Sequence, residues 1–476
     1  ISLQRLNFFS IEIRDGVLYG YLIDIINRAS ELVILAMGMT LVVSASAGTD
    51  ISVGATMAVS AAVCCNILTG GERAVTAYAN PLILGFIAAL VVGAAIGCFN
   101  GFLVSRLNIQ PMVATLIMYT AGRGISQLIT DGQITYVRVD SYRILGGSFP
   151  GFPVPTPFIV AVLVVVLTSL LLKKTALGMY IQSVGINKRA SQLVGIKSVF
   201  IIFLAYAYCG LCSGLAGLIA SSRIYSADAN NIGLNMEMDA ILAVAIGGNS
   251  LGGGKFSLAG SVIGAFTIQA LTTTLYAMHV SSDQVPVYKA IVVVIIVALQ
   301  SPGFARWRKS LLQKKRWQQE RRQHDMKGKM KLNQNSFLLL VTIILFFVMY
   351  GIGCVIFNAQ GFSKTQNFLN LFISNAGLIV IGIGMTVVMI TGGIDISVGS
   401  FVAMGCMMLA WMMEKGGVGA VPAVLIVLAT GIIFGLVQGF SGSLYGYPAI
   451  YSYTCRYVLC KRYDFYRTYR SVQCTK

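Results

Sequence analysis

Two aspartates stand in nearly identical motifs, each between long apolar segments. Asp50 belongs to "AGTDISVGA" and Asp395 to "GGIDISVGS", and a serine follows each of them two residues later, Ser52 and Ser397. A carboxylate in such surroundings is costly and by default marks a functional site, such as a transport pathway or a gate. It can also act as a helix cap, because it accepts hydrogen bonds from free N–H groups at the start of a helix. The sequence leaves both roles open.

The two motifs differ in their distance from the preceding part of the repeat. Ten residues lead from Thr40 to Asp50, whereas nine lead from Thr386 to Asp395. One additional residue turns an α-helix by about 100°. The two carboxylates are therefore expected to face different directions.

The elements that must position these motifs follow from composition. Hydrophobic residues make up 56% of the 476-residue chain and charged residues only 11%, whereas about a quarter of a soluble protein is charged. Apolar runs of the length that a helix needs to cross a bilayer, roughly 20 residues, recur along the chain. The composition predicts an all-α, polytopic integral membrane protein.

The apolar runs predict about 13 crossings in two related units. Nine lie in the first unit, at residues 29–47, 51–69, 81–105, 111–130, 156–172, 199–222, 238–250, 257–279 and 285–300. Four lie in the second, at residues 336–357, 371–390, 396–413 and 421–443. The run at 238–250 is short, and a re-entrant segment is the alternative there.

The net charge of +18 is concentrated in two loops. Residues 173–197 contain five basic residues and no acidic one, and residues 306–331 contain eleven basic residues against Glu320 and Asp325. Basic loops between apolar spans mark the cytoplasmic side of a membrane, so this charge does not indicate nucleic-acid binding. Counting crossings back from the first loop places residue 1 outside, which leads us to expect that one N-terminal helix precedes this sequence.

An internal repeat links the two units. The segment "GMTLVV" at 38–43 corresponds to "GMTVVM" at 384–389, and the aspartate motifs follow both. Three glycines in "GAAIGCFNG" correspond to three in "GIIFGLVQG": Gly93, Gly97 and Gly101, and Gly431, Gly435 and Gly439. A spacing of four places each set on one helix face, where a second backbone can approach closely.

With these motifs, residues 1–325 resemble the membrane-spanning permease subunit of bacterial ATP-binding-cassette (ABC) sugar importers of the ribose and galactofuranose class. The resemblance rests on "GMTLVVSASAGTDISVGA", "NIQPMVATLIMYTAGRGISQLIT", "TALGMYIQSVGINKRASQLVGI" and "ADANNIGLNMEMDAILAVAIGGNSLGGGKF". Residues 326–447, with a fresh start expected at Met326, resemble the front half of a partner permease. The expected organisation is a first unit at 1–303, a basic cytoplasmic linker at 304–335, a second unit at 336–447 and a tail at 448–476.

The tail differs in character from the corresponding part of the first unit. Eight of the 21 tyrosines and three of the ten cysteines lie in residues 445–476, where no apolar run of bilayer length remains. Our favoured hypothesis is an out-of-frame sequence that begins near Tyr447. The alternative is a genuine basic and aromatic tail at a membrane surface.

The resemblance also implies partners and a location. In this family two permeases pair, as a homodimer or heterodimer, with ABC ATPase subunits and an extracytoplasmic sugar-binding protein in the bacterial inner membrane. The cytoplasmic loop "GMYIQSVGINKRASQLVGI" matches the family's ATPase-coupling helix. Its matching positions are Gly185, Asn187, Ala190 and Gly195. The loop pattern itself indicates a short helix from Lys188 that ends at Gly195, and a merely solvated basic loop is the alternative.

Polar side chains within the spans are candidates for contacts with a sugar, because sugars need hydrogen-bond partners. The candidates are Asn100, Gln110, Thr115, Asn249, Gln269 and Thr272. Each could instead bond to a neighbouring helix. Glu237 and Asp239 are expected at the outer membrane edge, as a surface for the binding protein or as a solvated cap.

The sequence carries no recognisable enzymatic site or cofactor motif. "NSLGGGKFS" fails the P-loop spacing, so ATP hydrolysis is assigned to a partner protein. "CGLC" at 209–212 has redox spacing but lies in an apolar span, which favours helix packing. Other readings are an importer of nucleosides or branched-chain amino acids, or an ion-coupled secondary transporter, which would place ionisable residues deep in its spans.

Overall fold

The computed structural model describes residues 11–14, 17–149, 152–282, 284–300, 365–390, 395 and 397–445, with isolated residues between 344 and 355. Contacts divide the chain into two compact units. The first unit contains the residues up to Gln300, and the second begins at Ser301. The first carries most of the described contacts.

The described residues of the first unit are predominantly helical. Its helices are α1 (Tyr21–Ser46), α2 (Val53–Thr69), α3 (Leu82–Ser105), α4 (Pro111–Ile129), α5 (Asp140–Arg143), α6 (Thr156–Lys174), α7 (Leu177–Ile186), α8 (Lys188–Leu193), α9 (Ser198–Ile224), α10 (Met236–Ile246), α11 (Leu258–Ala277) and α12 (Val285–Gln300). The described helices of the second unit are α13 (Thr365–Ile390), α14 (Val398–Glu414) and α15 (Ala420–Tyr445).

Short strands join the ends of some helices. β1 (Glu12–Arg14) and β2 (Val17–Tyr19) form an antiparallel hairpin before α1. β3 (Ala74–Val75), β4 (Thr135–Val137) and β5 (Ser226–Ala227) form a small sheet in that order. These three strands follow α2, α4 and α9, whose carboxyl ends they bring together.

Seven described helices are long and apolar enough to cross a membrane: α1, α3, α6, α9, α11, residues 368–388 of α13, and residues 420–439 of α15. The prediction of a polytopic helical membrane protein is confirmed. The predicted number of 13 crossings is not established by these lengths, since α2 and α14 have 17 residues each and α12 has 16. The expected crossing at 336–357 lies mainly outside the described residues.

The predicted crossing at 238–250 is shorter than expected. Helix α10 has 11 residues and ends at Ile246, before Gly247 and Gly248. At a rise of 1.5 Å per residue it covers roughly 16 Å, about half of the hydrocarbon core. The residues from 228 to 235 that precede it are not helical. This element therefore matches the alternative of a half-span better than a full crossing.

Helix α1 forms the centre of the first unit. It packs against α9, α11, α6 and α10, and 94% of its most apolar window is buried within the protein. A helix that is apolar on all sides is expected in such a position. The aspartate motif that follows α1 consequently begins inside the packed core.

The glycine face of α3 is confirmed as a close helix contact. A Cβ placed on Gly97 would lie 2.4 Å from the carbonyl oxygen of Tyr206 and 2.9 Å from the Cα of Gly210. A Cβ on Gly93 would lie 2.7 Å from the carbonyl oxygen of Gly210. The "CGLC" segment thus packs α9 against α3 through its glycine, and both of its cysteines are buried and free, as the helix-packing interpretation predicts.

Candidate functional site

The Asp50 motif forms a buried turn between α1 and α2. Asp50 is 1% exposed, and its Oδ1 accepts hydrogen bonds from the backbone N–H of Ser52 (2.9 Å) and from the Ser52 hydroxyl (2.6 Å). Ser52, not Asp50, occupies the N-cap position of α2. The aspartate therefore fixes the turn that leads into α2 and lies two residues ahead of the cap.

Two of the candidate pathway residues meet at this turn. The Asn100 amide of α3 donates to the Ser52 hydroxyl at 2.8 Å. The Thr115 hydroxyl of α4 accepts from the backbone N–H of Ile51 at 3.2 Å. Both side chains are fully buried. Residues of α3 and α4 thus hold the Asp50 turn in place through hydrogen bonds to its backbone and side chains.

The second copy of the motif has the same hydrogen bonds between its aspartate and its serine. The Oδ1 of Asp395 accepts from the backbone N–H of Ser397 at 2.8 Å and from the Ser397 hydroxyl. Ser397 is the N-cap residue of α14, as Ser52 is of α2. In the first unit, α1 ends at Ser46, so non-helical residues lie between it and Asp50. Since α1 does not continue to Asp50, the extra residue of the first copy does not turn the direction of the carboxylate by about 100°, as it would within a helix.

Asn249 connects the end of α10 to α11. Its amide nitrogen donates to the carbonyl oxygen of Val244 (3.0 Å) and to the Ser261 hydroxyl (2.8 Å), and its oxygen accepts from the backbone N–H of Ser257 (2.6 Å). Ser261 also shares a hydrogen bond of 2.7 Å with Thr40 of α1. This candidate pathway residue has its hydrogen-bonding groups engaged by neighbouring elements.

The remaining pathway candidates are not brought together with these residues. Gln110 is exposed and precedes α4. Gln269 donates to Thr273 of its own helix at 3.3 Å, and Thr272 donates to the carbonyl oxygen of Ile268 at 2.9 Å. A single site lined by all of the predicted candidates is not present in the described part of the chain.

The basic loop between α6 and α9 forms two short helices, α7 and α8. Asn187 is the N-cap of α8, and its Oδ1 accepts from the backbone N–H of Ala190 at 3.0 Å. Gly195 follows α8 with a φ of +85°, a left-handed conformation that suits glycine. Two apolar side chains at the end of the loop are strongly exposed, Leu193 (88%) and Val194 (76%).

A glycine-rich contact joins this loop to α1. A Cβ on Gly185 would lie 1.7 Å from the carbonyl oxygen of Ser44 and 2.6 Å from the backbone nitrogen of Gly254. The Gly254 N–H donates to the same Ser44 oxygen at 3.0 Å. The segment that superficially resembles a P-loop is thus a packing element, which places α7 against the end of α1, six residues before Asp50.

Sequence reasoning missed two charged side chains near α2, Arg123, which is partly buried, and Glu237, which is buried. The Arg123 guanidinium of α4 donates through Nη1 to the carbonyl oxygens of Ala229 (3.0 Å) and Ile232 (2.6 Å). Glu237 is 2% exposed, and a Cβ on Gly54 would lie 2.3 Å from its Oε2. The expected exposed position of Glu237 is therefore not observed. An arginine inside the predicted span at 111–130 was the signal that could have indicated this cluster.

Two ion pairs brace the first unit around this region. Arg223 of α9 lies 2.8 Å from the Glu31 carboxylate of α1. Lys289 of α12 lies 2.8 Å from the Asp239 carboxylate of α10. Asp239 is thus held by a helix within the unit. The described residues contain no cluster of three or more histidine, cysteine or acidic side chains that suits a metal ion.

Comparisons with known proteins agree with this architecture. Residues 21–299 match the family model described as "Branched-chain amino acid transport system / permease component". The galactofuranose transporter permease protein of Escherichia coli K12 is 45% identical over 303 residues, which cover 64% of this chain and 86% of that protein. The fructose import permease protein of Bifidobacterium longum is 41% identical over 294 residues (60% and 79%), and the ribose import permease protein of E. coli K12 is 36% identical over 304 residues (63% and 89%).

No solved structure matches the chain. The family match covers the first unit from α1 to α12, including the Asp50 turn, the α7–α8 loop and the Arg123 cluster. The apolar helices and the match together establish a multi-pass membrane protein. The chain belongs to the family of branched-chain amino acid transport system permease components.

Proposed function

We propose that this chain is the membrane-spanning subunit of an ABC importer that moves a sugar into the bacterial cytoplasm. The observation that carries the proposal is the 45% identity to a galactofuranose transporter permease over most of that protein's length. The other relatives described above are named for fructose and ribose. We therefore assign a pentose or a galactofuranose-like sugar as the substrate class, in preference to the branched-chain amino acids of the family description.

The coupling of ATP hydrolysis to transport is assigned to the α7–α8 loop. The exposed tip at Leu193 and Val194 offers an apolar contact to an ATPase subunit. The backbones of Gly185 and Ser44 are in contact. A movement of α7 would therefore act directly on the end of α1. Movement of the loop would thereby reach the Asp50 turn. Two ATPase subunits, a second permease and an extracytoplasmic sugar-binding protein complete the proposed assembly in the inner membrane.

Asp50, Ser52, Asn100 and Thr115 act in this proposal as positioning residues. Their hydrogen bonds link α2, α3 and α4, so they define the geometry around the start of α2. Asp395 and Ser397 have the same function at the start of α14. The chemistry of transport requires no catalytic group or cofactor in this chain, since the ATPase subunit performs the hydrolysis.

The two-unit organisation belongs to the same proposal. The linker at 304–335 and the tail at 448–476 lie outside the described residues. We interpret the second unit as the front half of a partner permease and the tail as an out-of-frame sequence. Nucleotide sequencing around Met326 and Tyr447 tests this interpretation, and an intact reading frame through both positions contradicts it.

Complementation tests the function in cells. The chain is expressed in an E. coli strain that lacks its galactofuranose transporter permease, and uptake of labelled galactofuranose, ribose, fructose and leucine is compared. We expect restored uptake of one of the sugars and no effect on leucine. Restored leucine uptake without any sugar uptake contradicts the proposal. Expression of residues 1–303 alone serves as a matched comparison for the contribution of the second unit.

A further inference from the structure

A groove of about 650 Å³ opens between the end of α3 and the segment that leads into α9. Its walls include the aromatic side chains of Phe102, Phe200 and Phe203. Two of these rings are substantially exposed, Phe200 (56%) and Phe102 (47%). The groove is therefore an apolar recess whose wall is open to its surroundings.

Two cationic side chains also line this groove. Arg106 directly follows α3, and Lys197 directly precedes α9. Both are exposed, and neither forms an ion pair or a side-chain hydrogen bond within the described part of the chain. The groove is lined by no acidic residue. Two positive charges thus stand unneutralised beside aromatic walls.

The position of the groove in the membrane protein indicates which molecule it binds. Lys197 belongs to the loop with five basic residues and no acidic residue, which the charge distribution places at the cytoplasmic surface. Basic pockets between membrane-spanning helices on this side attract anionic lipid head groups. A free phosphate would use the cations but leave the aromatic walls uncovered, whereas a phospholipid has both a phosphate and apolar chains.

We propose that this groove binds one anionic phospholipid of the cytoplasmic leaflet. Its phosphate lies between Arg106 and Lys197, and one acyl chain lies against Phe102 and Phe200. This arrangement places one negative charge between the two cations and covers the exposed aromatic wall. The surface potential of the anionic leaflet favours the same orientation, with the head group at the membrane boundary.

The lipid would also contact the α7–α8 loop. Gln192 and Gly195, at the end of α8, line the same groove. At the start of α8, Lys188 Nζ donates to Asn108 Oδ1 at 2.8 Å, which ties the helix to the loop after α3. A bound lipid adds a second attachment between these elements. If the loop couples ATP hydrolysis to transport, a consequence that rests on the proposed function, anionic lipid increases the coupling efficiency.

Native mass spectrometry of the purified full chain measures lipid binding directly. Phosphatidylglycerol and phosphatidylcholine are titrated against the wild type, the groove variant R106Q/K197Q and the control variant K173Q/K174Q. The control removes the same charge from exposed residues of α6 that do not line the groove. We expect the groove variant to bind phosphatidylglycerol roughly 30-fold more weakly, as about two lost charge contacts imply. The control and the charge-preserving variant R106K/K197R are expected to bind as the wild type does.

Several outcomes overturn the proposal. Equal binding of phosphatidylglycerol by the groove variant and the wild type contradicts it. Equal affinity of the wild type for phosphatidylglycerol and phosphatidylcholine also contradicts it. Displacement of the lipid by millimolar inorganic phosphate would show that Arg106 and Lys197 bind a free anion in place of a lipid. A photoreactive benzoylphenylalanine at Phe200 provides an independent measurement: a lipid adduct is expected, and a protein adduct assigns the groove to a protein partner. None of these readouts requires sugar transport, so failure of the proposed function remains separable.

Discussion

Substitution of Gly97 by alanine tests the close contact between α3 and α9. The new Cβ would lie 2.4 Å from the carbonyl oxygen of Tyr206, whereas an ordinary contact begins at 3.4 Å. The helices must therefore separate locally by about 1 Å, a gap that forfeits a quarter to a half of each dispersion contact at the interface. Overpacking of this kind costs about 1–3 kcal/mol, so we expect G97A to lower the free energy of unfolding by that amount.

The internal repeat provides a matched control for this prediction. Gly435 corresponds to Gly97, but a Cβ there would meet no described atom within 4 Å. G435A should leave the stability unchanged or raise it by up to about 1 kcal/mol, the difference in helix propensity between alanine and glycine. Unfolding by dodecyl sulfate in mixed micelles, followed by circular dichroism, measures both variants. Equal unfolding free energies for G97A and the wild type would refute the packing argument.

Three further substitutions probe the other contacts. N187A removes the cap of α8 and should cost about 1 kcal/mol of local helix stability. The α8 amides should therefore exchange their hydrogens faster, and an unchanged exchange rate would contradict the assigned cap. E31Q breaks the ion pair with Arg223, which keeps its hydrogen bonds to Asn27 and Gly146, and should cost about 1–3 kcal/mol. An unfolding midpoint equal to that of the wild type would argue against a stabilising pair. N249A leaves the Ser257 N–H without its acceptor and should cost about 1–3 kcal/mol; the same micelle unfolding assay checks it, and a change below about 0.5 kcal/mol would contradict the role of Asn249.

The class of the fold could be predicted from the sequence, because a helix that crosses a bilayer must be apolar over about 20 residues and the loops on its cytoplasmic side are basic. The glycine face of α3 was also predictable, since a spacing of four residues fixes a helix face. The length of α10 was not, because the extent of a half-span depends on the non-helical segment before it and on its partners α11 and α12. Composition alone does not specify those contacts.

The details of the site were less accessible than the fold. The Asp50 motif was visible as a repeat, but its hydrogen bonds depend on Asn100 and Thr115, which approach from other helices. The contact of Gly185 with Ser44 joins residues more than 140 positions apart, a relation that no local pattern encodes. Glu237 was expected at the outer membrane edge because the count of crossings from the basic loops placed it there.

Sugar uptake by proteoliposomes tests the central claim most directly. The full chain is reconstituted with its ABC ATPase and its sugar-binding protein, and uptake of labelled galactofuranose, ribose and fructose is measured with and without ATP on the ATPase side. The account predicts ATP-dependent uptake of one of these sugars, with no uptake when the ATPase subunit is omitted. Uptake driven by an ion gradient in the absence of ATP, or ATP-dependent uptake of leucine in place of every sugar, would contradict it.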